Sequence, residues 1–142
     1  LALLANLACI STNFFTSLLN PISFKDLLSN EVRTVTIDGI VDEFKLENLD
    51  ILHSDIQGFE RDMLAGAEDT LKNQLAEFLF ISTHSNEIHL DCLETIKNYN
   101  YRVICDINLD DSFSDDGLIV ACNNTSSFKF KEKISKRSQL AL

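Results

Sequence analysis

Between residues 32 and 122 the chain alternates short β-like runs with stretches of helical spacing, and this order limits the available folds more than any other feature. Val-Arg-Thr-Val-Thr-Ile (32–37) alternates with period two and is rich in β-branched residues, which predicts a strand or extended segment. Asp38 is placed to cap a helix over 39–44, with Ile40, Val41 and Phe44 at helical spacing. Leu-Asp-Ile-Leu-His-Ser (49–54) reads as a second strand, and Met63, Leu64, Ala67 and Leu71 mark one apolar face of a helix over 60–74. Phe-Leu-Phe-Ile-Ser (78–82) is an unbroken apolar run, the mark of a strand covered on both faces in a parallel sheet. An amphipathic helix is predicted over 88–98, then strands over 101–107 and 118–122. Such alternation argues an α/β fold with a largely parallel sheet and right-handed crossovers. The short acidic connection over 108–117 makes the last two strands an antiparallel pair.

Composition narrows the partners. With 142 residues the chain is long enough for a real core. Its net charge of −10 sets long-range repulsion against nucleic acid. Five of the twelve basic residues (Lys129, Lys131, Lys133, Lys136, Arg137) lie in the last fourteen positions, a basic tail over 128–142 that reads as a solvated, frayed terminus, with contact to anionic lipid or to the acidic body as the alternative. Residues 1–24 are uncharged and largely apolar, yet Asn6, Ser11, Thr12, Asn13, Thr16, Ser17 and Asn20 interrupt the stretch and it has no basic start. The segment over 1–31 therefore reads as a buried helix or a surface for self-association rather than a membrane span or signal peptide. Cys9, Cys92, Cys105 and Cys122 form no Cys-x-x-Cys pair and read as reduced thiols, which points to a cytoplasmic protein. Glycine occurs only at 39, 58, 66 and 117, a spacing that excludes the glycine-rich loops that close around phosphates or nucleotides.

In an open α/β sheet, ligands bind at the carboxyl ends of the strands. Two such ends are dense in functional groups: His-Ser-Asp-Ile-Gln-Gly-Phe-Glu (53–60) and Ser-Thr-His-Ser (82–85). If the two strands are neighbours, Asp55 and His84 project into one cleft, where a carboxylate can orient an imidazole that takes a proton from a hydroxyl. Simpler roles stand beside this one. Asp55 can cap a helix starting near Gln57, Glu60 is favoured by the dipole of a first helical turn, and His53 suits a core or edge position. His89, at a helix start, reads as a surface residue. His53, Asp55 and His84 together could hold a divalent metal, but no spacing here is diagnostic, and no metal is expected.

Ile-Leu-His-Ser-Asp-Ile-Gln-Gly-Phe-Glu (51–60), Met-Leu-Ala-Gly-Ala-Glu (63–68), Phe-Ile-Ser-Thr-His-Ser (80–85) and Asp-Gly-Leu-Ile-Val-Ala (116–121) in this order resemble the FkbM family of methyltransferases. The resemblance covers about residues 32–123. It implies part of a Rossmann-like class I fold over 32–127 that uses S-adenosylmethionine, with a hydroxyl of a sugar, glycan or natural product as acceptor. It places Asp55, Gln57 and Glu60 in one family motif and His84 in a second. The strand ending at Asp55 would be the fourth of seven, the strand ending near His84 the fifth, and the final pair the antiparallel sixth and seventh. Asp55, His84 and Glu60 are then the candidate catalytic residues, and His53, Ser54 and Gln57 the candidate cofactor contacts. The family's glycine-containing cofactor loop has no counterpart in this sequence, so the chain resembles a C-terminal portion and the expectation is weak cofactor binding and little activity from these residues alone. Two other readings remain at this level: a non-catalytic α/β interaction module docking through its apolar N-terminus, and a metal-dependent hydrolase.

Overall fold

The computed structural model describes residues 34–129 and 134–139. The readings of residues 1–31, of Cys9 and of the start of the 32–37 segment lie outside them. The elements run α1 (Ile37–Phe44), β1 (Leu49–Ser54), α2 (Glu60–Ala65), α3 (Glu68–Lys72), β2 (Ala76–Thr83), α4 (Asn86–Asn98), β3 (Arg102–Ile107) and β4 (Gly117–Cys122), with a 3-10 turn over Arg137–Gln139. The four strands form one sheet in the order β1-β2-β4-β3.

Two corrections concern the first helices. Residue 36 is extended and belongs to no strand; Thr36 is the cap of α1, its hydroxyl accepting from Gly39 N at 3.0 Å. Asp38, expected as that cap, instead crosses to α3. Its carboxylate accepts from Asp69 N (3.0 Å), Thr70 N (2.9 Å) and the Thr70 hydroxyl (2.6 Å). The reason is local need. The residue before α3 is Ala67, which has no side-chain acceptor, so the free N–H groups of that first turn are satisfied from another helix. The predicted 60–74 helix is accordingly two, broken at Gly66-Ala67, and Gly66 O accepts from Asp38 N at 3.0 Å.

The sheet differs from the expectation of a largely parallel one. β1 and β2 pair in parallel, but β4 pairs antiparallel with both β2 and β3. Three strands run one way. The nine-residue connection after β3 can only return the chain antiparallel, and β4 then inserts beside β2, so a single reversed strand makes two of the three ladders antiparallel.

The core lies between the sheet and the helices. Leu52, Leu79, Ile81, Ile119 and Ala121 of the strands are buried with Leu64 and Leu71 of α2 and α3 and with Cys92, Leu93 and Ile96 of α4. Burying a side chain such as Leu79 contributes about 1.5–3 kcal/mol relative to exposure. The opposite face of β2 is only half covered: Phe78 and Phe80 are partly buried, and Phe128 meets Phe78 edge to face at 5.3 Å. The described part of the basic tail is largely exposed but touches the acidic loop after β3. Lys136 Nζ lies 2.9 Å from Asp111 Oδ2, and the Arg137 guanidinium donates to Asp110 O at 2.9 Å. No helix among the described residues is long and apolar enough to cross a membrane.

Candidate active site

Three loops meet at the carboxyl end of β1 and β2. The first, residues 55–59, leaves β1 through two left-handed positions, Gln57 (φ 54°) and Gly58 (φ 101°). Such a value is uncommon for a residue with a Cβ, and the turn has a local consequence: Gly58 N points back and donates to Glu60 Oε1 at 3.1 Å. The second loop carries His84 and then Ser85, whose hydroxyl caps α4 by accepting from Ile88 N. The third ends at Asp116. The register pairs Thr83 with Gly117, so the antiparallel ladder brings His84 and Asp116 opposite one another.

His84 is the centre of the arrangement. Its Nδ1 lies 2.7 Å from Glu60 Oε1. Glu60 is fully buried in the first turn of α2, and the same Oε1 accepts from Gly58 N–H, so it is the acceptor here and the Nδ1–H of His84 donates to it. This assigns the lone pair to Nε2, which accepts from the Gln57 amide at 2.9 Å. Asp55 Oδ1 stands 3.2 Å and Asp116 Oδ1 3.5 Å from the same nitrogen. Both carboxylates are partly exposed while the ring is mostly covered, so Nε2 faces the mouth of the site and Nδ1 its floor. A base oriented from behind, with two carboxylates ready for the charge a proton would bring, can accept a proton from a hydroxyl.

The structure thus brings together Asp55, Gln57, Glu60 and His84. Asp55 caps no helix: α2 begins at Glu60 with no side-chain cap. Ser54, at the end of β1, is buried, and its Oγ has no hydrogen-bond partner among the described residues; the same holds for Glu60 Oε2. His53 is one step along β1 from Ser54 and therefore faces the other side of the sheet, away from the face that buries Leu52 and Ser54. Among the described residues no group of three His, Cys, Asp or Glu is arranged to hold a metal ion. Asp116 is the residue that sequence reasoning missed. Its signal was present in the Asp-Gly-Leu-Ile-Val-Ala segment, but only the strand register shows that it faces His84.

His89 is not at the surface. It is buried, with Nδ1 at 2.8 Å from Thr83 Oγ1 and Nε2 at 3.0 Å from Asp106 Oδ1. Cys92, one turn further along α4, offers no nucleophile. Burial, with the Glu60 carboxylate nearby, pushes its thiol up to about 12.

No curated protein and no solved structure matches the chain. A family model does: that of the methyltransferase FkbM domain, over residues 9–103. The match starts upstream of residue 32 and ends before Asp116, and it includes Asp55, Gln57, Glu60 and His84. Because it spans more than half of the 142 residues, the chain belongs to the FkbM methyltransferase domain family.

Proposed function

We propose that the chain carries the proton-accepting part of an S-adenosylmethionine-dependent O-methyltransferase, with a hydroxyl of a sugar, glycan or natural product as acceptor. The observation that carries this reading is His84 fixed between Glu60 behind it and Asp55 and Asp116 in front. When bound, the cofactor supplies an already activated methyl group, so the protein has mainly to align the acceptor and take its proton. The residues present fit that group on one side: Ser54 Oγ is a buried hydroxyl without a partner among the described residues, at the end of β1, and Gln57 and Asp55 follow it in the next loop. Ser54 and Gln57 are the residues that would hold it.

The acceptor hydroxyl displaces the Gln57 amide from Nε2 and gives its proton there as the new bond forms. His84 becomes an imidazolium. Glu60, Asp55 and Asp116 already surround the ring, so the positive charge arrives where carboxylates are fixed and little has to reorganise. Glu60 also keeps the ring in the tautomer whose lone pair faces the acceptor.

The test is transfer of an isotope-labelled methyl group to a panel of hydroxylated acceptors, with the cofactor at millimolar concentration so that weak binding does not mask turnover. Against an accepted substrate, His84→Gln is expected to lower turnover by about 10²–10⁴-fold, the usual worth of general-base catalysis, with Glu60→Gln next in effect. Retained activity in His84→Gln refutes the assignment.

A further inference from the structure

A second histidine lies behind the first. His89 bridges Asp106 on β3 and Thr83 at the end of β2, and it is 1% exposed. The Asp106 carboxylate accepts from Nε2–H, which leaves the Nδ1 lone pair to accept from the Thr83 hydroxyl. Thr83 is fully buried, and the residue facing it across the ladder is Gly117. No side chain fits at that position: a Cβ on Gly117 would lie 2.5 Å from Thr83 Oγ1 and 2.9 Å from His89 Nδ1. The imidazole thus packs against the backbone of β4 while it holds the side chain of β2.

Thr83 immediately precedes His84, and Gly117 immediately follows Asp116. We infer that His89 is a positioning residue: through Thr83 and Gly117 it sets the spacing of His84 from Asp116 and Glu60. The chain Asp106–His89–Thr83 joins β3, α4 and β2 at the sheet end that carries the site, with His89 and Thr83 buried beneath it. The inference concerns the ring of His84 and stands apart from the methyl-transfer reading.

The protein has three histidines, so long-range proton–nitrogen NMR of the full chain can follow each ring. In the wild type His84 is expected to show a protonated Nδ1, an unprotonated Nε2, and an Nδ1–H slowed in exchange by Glu60. Thr83→Val and His89→Gln are expected to speed exchange of that proton about tenfold or more, or to mix the two tautomers, an effect of the size of one ordinary hydrogen bond. Variants that melt earlier but leave the His84 signature unchanged overturn the inference, because a merely structural residue lowers stability and nothing else. Should both buried variants fail to fold, Asp106→Ala decides by the same criterion, since it removes the acceptor of His89 Nε2–H from a half-exposed position. A wild-type His84 without the Nδ1-protonated pattern overturns the site geometry itself. Missing methyl transfer alone leaves this result standing.

Discussion

Replacing Gly117 with alanine puts a methyl group where the sheet end has no room for one. The new Cβ would stand 2.5 Å from Thr83 Oγ1, 2.9 Å from His89 Nδ1 and 3.0 Å from Ile107 O. None of these neighbours yields easily. Thr83 and His89 are buried and hold each other, and the third is backbone. Overpacking of this kind costs about 1–3 kcal/mol, and displacing Thr83 also breaks its bond to His89, worth about 1 kcal/mol. Gly117→Ala is therefore expected to destabilise the fold by about 3 kcal/mol. The chain has no tryptophan, so urea unfolding followed by far-ultraviolet circular dichroism is the suitable assay. Thr83→Ala removes the atom closest to the new methyl, so Gly117→Ala made in that background should cost less than half as much, a coupling of about 1.5 kcal/mol or more. Costs that add within about 0.5 kcal/mol refute the steric account.

Asp38→Ala removes three hydrogen bonds at the start of α3 and is expected to cost about 2–3 kcal/mol in the same assay, with Asp38→Asn recovering part of it. Burial pushes both the Cys92 thiol and the Tyr101 hydroxyl up to about 12. The unfolded chain releases these protons near the ordinary values, about 8.5 and about 10, so it binds fewer protons than the folded chain in that window. Stability is then fully present below about pH 8.5 and falls as pH rises toward 12; melting temperatures measured across that range should decline, and a flat profile counts against the burial of these groups. For the same reason Cys92 should resist alkylation in the native state and react once urea is added. Within these residues no glycine precedes Gly39, so they contain no glycine-rich loop of the kind that closes around a nucleotide. Calorimetry with S-adenosylmethionine is expected to show no micromolar binding to these 142 residues, and micromolar affinity would refute that expectation.

Local pattern made much of this legible. β1, a short apolar run, and α4, with its apolar stripe, were evident from the local pattern within two residues of their ends. Asp55, Glu60 and His84 were legible because strand ends in an α/β sheet are where functional groups collect, and each stands just past such an end. Helix caps were less legible. Thr36 and Asp38 can both accept at a helix N-terminus, and only the packing of α1 against α3 decides which helix each one serves.

The sequence by itself determined the element types, the apolar faces and the residues able to do proton chemistry, because these depend on spacing of three or four positions. The tertiary structure alone decided partnership. Placing β4 between β2 and β3 made the sheet mostly antiparallel, set Asp116 against His84, and buried His89, which a helix-start position had suggested was exposed. Those outcomes depend on contacts between residues 6 to 44 positions apart, fixed by strand register and by the requirement that every buried polar group find a partner. No local pattern records them.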